Sequence, residues 1–149
     1  MEKPILYVMI GLPGCGKSYY ATNKLNANVV SSDDIRELLY GDASIQGNPK
    51  EVFNYLHTVV DENLSKNIDT VYDATNIDIK NRKEIFERYK DKAKIIGIYF
   101  DVPVEVCKSR NVNRERTVPD YVYDRMVSRF VTPTLSEGFD DIIRITLKG

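Results

Sequence analysis

The chain has 149 residues, 42% hydrophobic and 29% charged, with a formal net charge of −1. That length suits one hydrophobic core rather than two, and the composition is that of a globular protein. No apolar stretch approaches the roughly 18 residues of a membrane span, a near-neutral charge excludes a strong nonspecific polyanion binder, and two cysteines exclude a disulfide scaffold.

Ile5–Ile10 is apolar throughout and reads as a first strand, without the small-residue cleavage site of a secretory leader. Gly11-Leu12-Pro13-Gly14-Cys15-Gly16-Lys17-Ser18 follows at once and fits G-x-x-x-x-G-K-[ST] at every position. Tyr19 to Leu25 continues as a helix. Strand, glycine loop and helix N-terminus together present backbone N–H groups and a positive dipole end to a polyphosphate. Lys17 is expected at the β- and γ-phosphates and the Ser18 hydroxyl on Mg²⁺, so the chain should bind ATP or another nucleoside triphosphate. Cys15 reads as a small loop filler.

Asn28–Ser31 is expected to be a short second strand. A helix should begin near Asp33, with Ile35, Leu38 and Leu39 on one side. Gly41–Pro49 is a loop, and residues 50 to 66 form an amphipathic helix. His57, the one histidine, lies on that helix without a ligand-spaced partner and reads as structural. Asp69–Ala74 is a third strand, and Asp78 caps a helix to about Tyr89. Ala93–Phe100 suits a buried parallel strand. Pro103 opens a helix carrying Val106 and Cys107, and Pro119 opens another with Val122, Met126 and Phe130 inward. Ile142–Leu147 closes the chain. Strands alternating with helices imply an α/β fold: a parallel sheet of about five strands, helices on both faces, one domain over residues 1–149.

Charge is uneven: Asp33 to Asp78 holds 3 basic and 10 acidic residues, Lys80 to Arg116 holds 11 basic and 6 acidic. The lysines of Lys80–Lys94 read as a solvated helix face. Ser31-Ser32-Asp33-Asp34-Ile35-Arg36 follows the second strand. A carboxylate there would face the γ-phosphate from the acceptor side and could take a proton from an attacking hydroxyl. Alternatively, Asp33 or Asp34 is a helix cap. The third strand ends in Asp73-Ala74-Thr75-Asn76. Asp73 could serve Mg²⁺ or the acceptor, and no second acid follows it to polarise water, which favours transfer to an alcohol over hydrolysis. Thr75 and Asn76 either position the acceptor or form a polar turn. Arg110, Arg114 and Arg116 precede Val118-Pro119, and Arg110 and Arg114 share a helix face. Residues 110–118 are expected to form a lid whose arginines neutralise charge on the transferring phosphoryl.

These landmarks resemble the 5′-hydroxyl polynucleotide kinase family, within the P-loop kinases. The phage-type kinase domain has the same glycine loop, an Asp-Asp-x-Arg box (here Asp33-Asp34-Ile35-Arg36), an Asp/Thr/Asn strand end (Asp73, Thr75, Asn76), and an Arg-Asn lid before Val-Pro (Arg110-Asn111 with Arg114, then Val118-Pro119). The tail Pro133-Thr134-Leu135-Ser136-Glu137-Gly138-Phe139 is similar to the kinase-domain ending of animal bifunctional polynucleotide kinase/phosphatases. The resemblance implies that Asp33, rather than Asp34, activates a 5′-hydroxyl, Arg36 grips the phosphate 3′ to the acceptor nucleotide, and Arg114 clamps the donor phosphates. It implies a nucleic-acid substrate with a 5′-OH end, touched locally, and a separate phosphatase or ligase partner for end repair. Cysteine usage points to a reducing, cytoplasmic setting. Two other readings remain open: a kinase of the same fold acting on a small alcohol (a nucleoside, sugar or aminoacyl group), and a nucleotide-driven switch or assembly ATPase.

Overall fold

The computed structural model describes residues 2–42, 47–111 and 118–147. Its centre is a five-stranded sheet in the order β2-β3-β1-β4-β5. The strands are β1 (Ile5–Ile10), β2 (Asn28–Ser31), β3 (Thr70–Asp73), β4 (Lys94–Phe100) and β5 (Asp141–Ile145), and every pairing is parallel. The helices are α1 (Lys17–Lys24), α2 (Ser32–Tyr40), α3 (Pro49–Ser65), α4 (Ile79–Tyr89), α5 (Val104–Asn111) and α6 (Asp120–Arg129).

β1 is buried on both sides because its apolar run has no polar alternation, as a central parallel strand requires. Leu6, Val8 and Ile10 pack into one core with Ile35, Val52, Leu56 and Ile85, from α2, α3 and α4. Met9 faces the other core with Ala21, Cys107 and Tyr123, from α1, α5 and α6. Helices therefore cover both faces. Register then places the chemistry. Ser31 is the Cα partner of Asp73, and Val8 of Tyr72, so the C-terminal ends of β1, β2 and β3 lie side by side. Ligands of open α/β sheets bind at that edge.

Several boundaries differ from expectation for local reasons. α2 starts at Ser32 because the Ser31 hydroxyl accepts from Asp34 N (3.4 Å), so neither aspartate is the cap. Asn48 caps α3 through Oδ1 to Lys50 N (3.0 Å), with Pro49 in the first turn. Asp69 precedes β3 because its carboxylate accepts from Ile5 N (2.8 Å). β5 ends at Ile145 rather than Leu147. Leu38 is exposed while Ile35 is buried, and in α6 the wholly buried residue is Tyr123, with Val122 and Met126 only half-buried. Asp78 caps α4 as expected, Oδ1 accepting from Asn81 N (2.8 Å).

Candidate active site

The glycine loop is shaped by two different constraints. Gly14 and Gly16 have φ of 81° and 103°, the left-handed region that glycine enters without strain. Gly11 is held by crowding instead: a Cβ there would lie 2.6 Å from Cys15 Sγ and 3.0 Å from Phe100 Cβ. The loop leads into α1, whose N-terminus carries Lys17 and Ser18. The Lys17 ammonium lies in the loop's mouth, donating to the carbonyls of Gly11 (3.0 Å) and Leu12 (2.9 Å). Beneath the loop, the buried Tyr123 hydroxyl donates to Pro13 O at 2.7 Å. Sequence periodicity missed this support, because Tyr123 sits one position beyond the expected Val122/Met126 stripe. Cys15 is buried, and burial pushes its thiol up, so it is a filler rather than a thiolate.

Across the β1–β3 seam, Ser18 Oγ donates to Asp73 Oδ2 (3.3 Å). Burial raises the Asp73 carboxyl above its usual range, the Lys17 ammonium pulls it back, and the Asp33 charge raises it further. The three groups therefore share one electrostatic site. Two hard oxygen donors at the foot of a phosphate loop suit a Mg²⁺ ion that keeps waters and shares oxygens with a polyphosphate. Among the described residues no group of three His, Cys, Asp or Glu side chains forms a cage of its own.

With the capping role filled by Ser31, Asp33 stands in the first turn of α2 and lines a cleft of about 650 Å³ with Lys17, Ser18 and Asp73. Its Oδ1 accepts from Arg36 Nη1 at 2.9 Å, one turn along the helix. Arg36 is 9% exposed, and the same Nη1 donates to Ser32 Oγ (3.4 Å). A carboxylate and a guanidinium are thus held together in the cleft beside the loop. The cleft's outer wall adds Phe53 from α3 and Tyr121, Arg125 and Arg129 from α6. Those residues were not singled out from the sequence, although the i, i+4 spacing of Arg125 and Arg129 is a usable signal.

The strand-end turn is built for rigidity. Thr75 O accepts from Gly11 N (3.0 Å), tying the turn to the glycine loop. Asn76 has φ 48° and is 4% exposed, and its amide donates to Met9 O (2.8 Å). The Asn76 side chain thus serves the turn, whereas half-buried Thr75 lines the cleft. Arg82, fully buried, donates to Asn76 O (3.0 Å) and forks onto Glu137 at 2.8 and 3.2 Å. The Pro-Thr-Leu-x-Glu-Gly-Phe tail therefore reaches the site through one ion pair. Arg82 lies within the basic run that reads as solvated, and nothing local in the sequence separates it from its lysine neighbours.

On the far side of the loop, Arg110 is exposed in the last turn of α5, with Nη1 3.6 Å from the position a Cβ on Gly16 would take. Its guanidinium thus overhangs the phosphate loop. Asn111 is buried, with Nδ2 donating to Val118 O (2.6 Å) and Oδ1 accepting from Val118 N (3.0 Å). This pair brackets residues 112–117. Arg114 and Arg116 fall outside the described residues.

A family model described as an AAA domain, AAA_33, matches residues 6–133. The chain belongs to the AAA_33 family. Its fold is that of the P-loop kinases. The "L-seryl-tRNA(Sec) kinase" of Methanococcus maripaludis is 25% identical over 146 residues, covering 91% of this chain and 56% of its own. The "Putative bifunctional polynucleotide phosphatase/kinase" of Acanthamoeba polyphaga mimivirus is 28% identical over 154 residues, covering 97% of this chain and 34% of its own. A chain of the Pnkp1/Rnl/Hen1 RNA repair complex superposes with a TM-score of 0.75 at 23% identity, over 87% of this chain and 44% of that one. The chain spans about half, or less, of the curated relatives it matches. Among the described residues no helix is long and apolar enough to cross a membrane.

Proposed function

We propose that this AAA_33 chain is an ATP-dependent polynucleotide 5′-hydroxyl kinase. The observation that carries the reading is the Asp33–Arg36 pair on the acceptor side of the phosphate loop, at 2.9 Å. A general base needs a carboxylate near the γ-phosphate; a nucleotide acceptor also needs a cation for the phosphate on its 3′ side. A sugar or nucleoside needs only the first.

ATP lies with its triphosphate in the Gly11–Ser18 loop and Lys17 at the β- and γ-phosphates. Ser18 and Asp73 would hold Mg²⁺, which would supply charge screening for the phosphates. Asp33 accepts the proton of the 5′-hydroxyl as its oxygen bonds to the γ-phosphorus. The bond from that phosphorus to the β–γ bridging oxygen breaks, and ADP leaves. Arg36 orients the Asp33 carboxylate and holds the acceptor's phosphate. Arg110, which overhangs the loop, stabilises charge on the moving phosphoryl, and Arg114 and Arg116 are assigned the same task from the sequence alone; such arginines are worth roughly 10³ to 10⁵ in rate in other phosphotransferases.

The second reading is a kinase for a small alcohol or an aminoacyl group, favoured by the near-neutral charge and by the 25% identity to the seryl-tRNA kinase. An acceptor panel separates the two. With γ-labelled ATP, 5′-OH DNA and RNA oligonucleotides are expected to take label while free nucleosides and sugars stay unlabelled. Label confined to the small alcohols overturns the polynucleotide reading.

A further inference from the structure

The acceptor cleft does not end at Arg36. Pro49, Phe53, Ala74, Thr75 and Arg129 line both this cleft and a second one of about 1030 Å³, so the two are one continuous groove. The second part runs between α3 and α4 over the C-terminal end of β3, away from the glycine loop. Transfer to a small alcohol has no use for it.

Its walls have the chemistry of a single-stranded nucleic-acid channel. Half-buried Phe53 stands at the junction, packed against the core, and is an aromatic side chain of the kind that stacks with bases. Beyond it, Lys50 and Asn54 on α3 face Lys80, Asn81 and Arg88 on α4, all exposed, with Arg129 of α6 at the entrance. Asp78, Glu84 and Glu87 also line it, and the Asp78 carboxylate is engaged in capping α4. Four cations against three acids make a weakly positive channel, suited to a few local phosphate contacts. The floor is firm: His57 bridges the buried Tyr89 and Tyr72 hydroxyls at 2.7 and 3.2 Å beneath the groove.

We propose that the α3–α4 cleft holds the nucleotides that follow the phosphorylated end, entering past Arg129 and Phe53, with Lys80 and Arg88 on their backbone phosphates. The proposal rests on the polynucleotide reading and adds the direction in which the strand leaves the site.

The test compares two acceptors, a nucleoside 3′-phosphate and a 5′-OH hexanucleotide, with wild type and with Lys80→Ala/Arg88→Ala. Wild type is expected to show a KM about tenfold lower for the hexamer. The double variant should erase most of that difference, with kcat for the hexamer retained. Its salt slope for the hexamer should fall by about 1.4, at ~0.7 for each single-strand phosphate that is no longer neutralised. Lys80→Arg/Arg88→Lys should restore the difference, which separates charge from fold. Equal KM for both acceptors in wild type, or a loss shared equally between them in the variant, overturns the channel while leaving the kinase reading intact. If neither acceptor is phosphorylated but another alcohol is, the polynucleotide reading itself fails.

Discussion

The base role proposed for Asp33 does not compete with a capping role, because another side chain caps its helix. Ser31 makes the capping bond, so removing the Asp33 carboxylate leaves the start of α2 in place. The task proposed for Arg36 is distinct: it holds the acceptor's phosphate. Arg36→Ala should raise KM for a 5′-OH oligonucleotide several-fold and flatten its salt slope by about 0.7; steady-state kinetics between low and moderate salt will show whether the slope moves. His57 makes a residue-scale prediction for stability. Burial, reinforced by the nearby Arg88 guanidinium, pulls its imidazole down to about 4, whereas in the unfolded chain it titrates near 6.5. A group depressed on folding contributes stability that is whole above the unfolded value and drains as pH falls toward the folded one. Urea midpoints should therefore drop between about pH 6.5 and 5. In His57→Gln the drop over that window should shrink; an equal drop would assign it to other groups.

Elements far apart in sequence meet at the Arg82–Glu137 pair, where α4 takes hold of the 3-10 turn at Leu135–Glu137 and, through Asn76 O, of the strand-end turn. Breaking a buried pair leaves one charge uncompensated, at a cost of about 3–5 kcal/mol. Glu137→Ala should lose stability in that range by urea denaturation. Arg82→Met/Glu137→Leu should lose clearly less, and similar losses would mean that the tail packs by shape alone. The glycine loop, α3, α4 and the strand ends were legible because each is written in contiguous residues: a motif, a 3.6-residue period, a cap. Arg82 and Tyr123 were not, since their partners lie 55 and 110 positions away and no local pattern marks a side chain that turns inward to meet them. Arg125 and Arg129 were hidden differently: the apolar stripe of α6 dominates its sequence pattern, and the cleft takes Val122 and Met126 from that stripe together with the two arginines beside it.

At the scale of the whole molecule, parallel order brings three strand ends to one edge, and everything chemical follows from that. The phosphate loop follows β1, Asp33 lies in α2 just after β2, and Asp73 ends β3, so ligand binding is coupled to the sheet's integrity. A triphosphate at 100 times its Kd should stabilise the chain by about 2.7 kcal/mol, readable as a rise in Tm with Mg-ATP. Gly14→Ala should abolish that rise, because its φ of 81° is strained for alanine and a Cβ would lie 2.5 Å from Cys107 O. A full shift in the variant would mean that the nucleotide sits elsewhere. Alternating strand and helix signals made the sheet legible from the sequence. Which acceptor the edge receives was not, because a base beside a phosphate loop is common to many alcohols and the discriminating wall is assembled from α2, α3 and α6.

Single-turnover transfer decides the central claim: wild type and Asp33→Ala, each preloaded with γ-labelled ATP, are mixed with a 5′-OH oligonucleotide while ATP affinity is measured alongside. Rapid labelling by wild type is expected, with a rate lower by about 10² to 10⁴ in the variant and equal ATP affinity in both. Near-normal labelling by Asp33→Ala, or ATP hydrolysis that ignores both the oligonucleotide and Asp33, would contradict it.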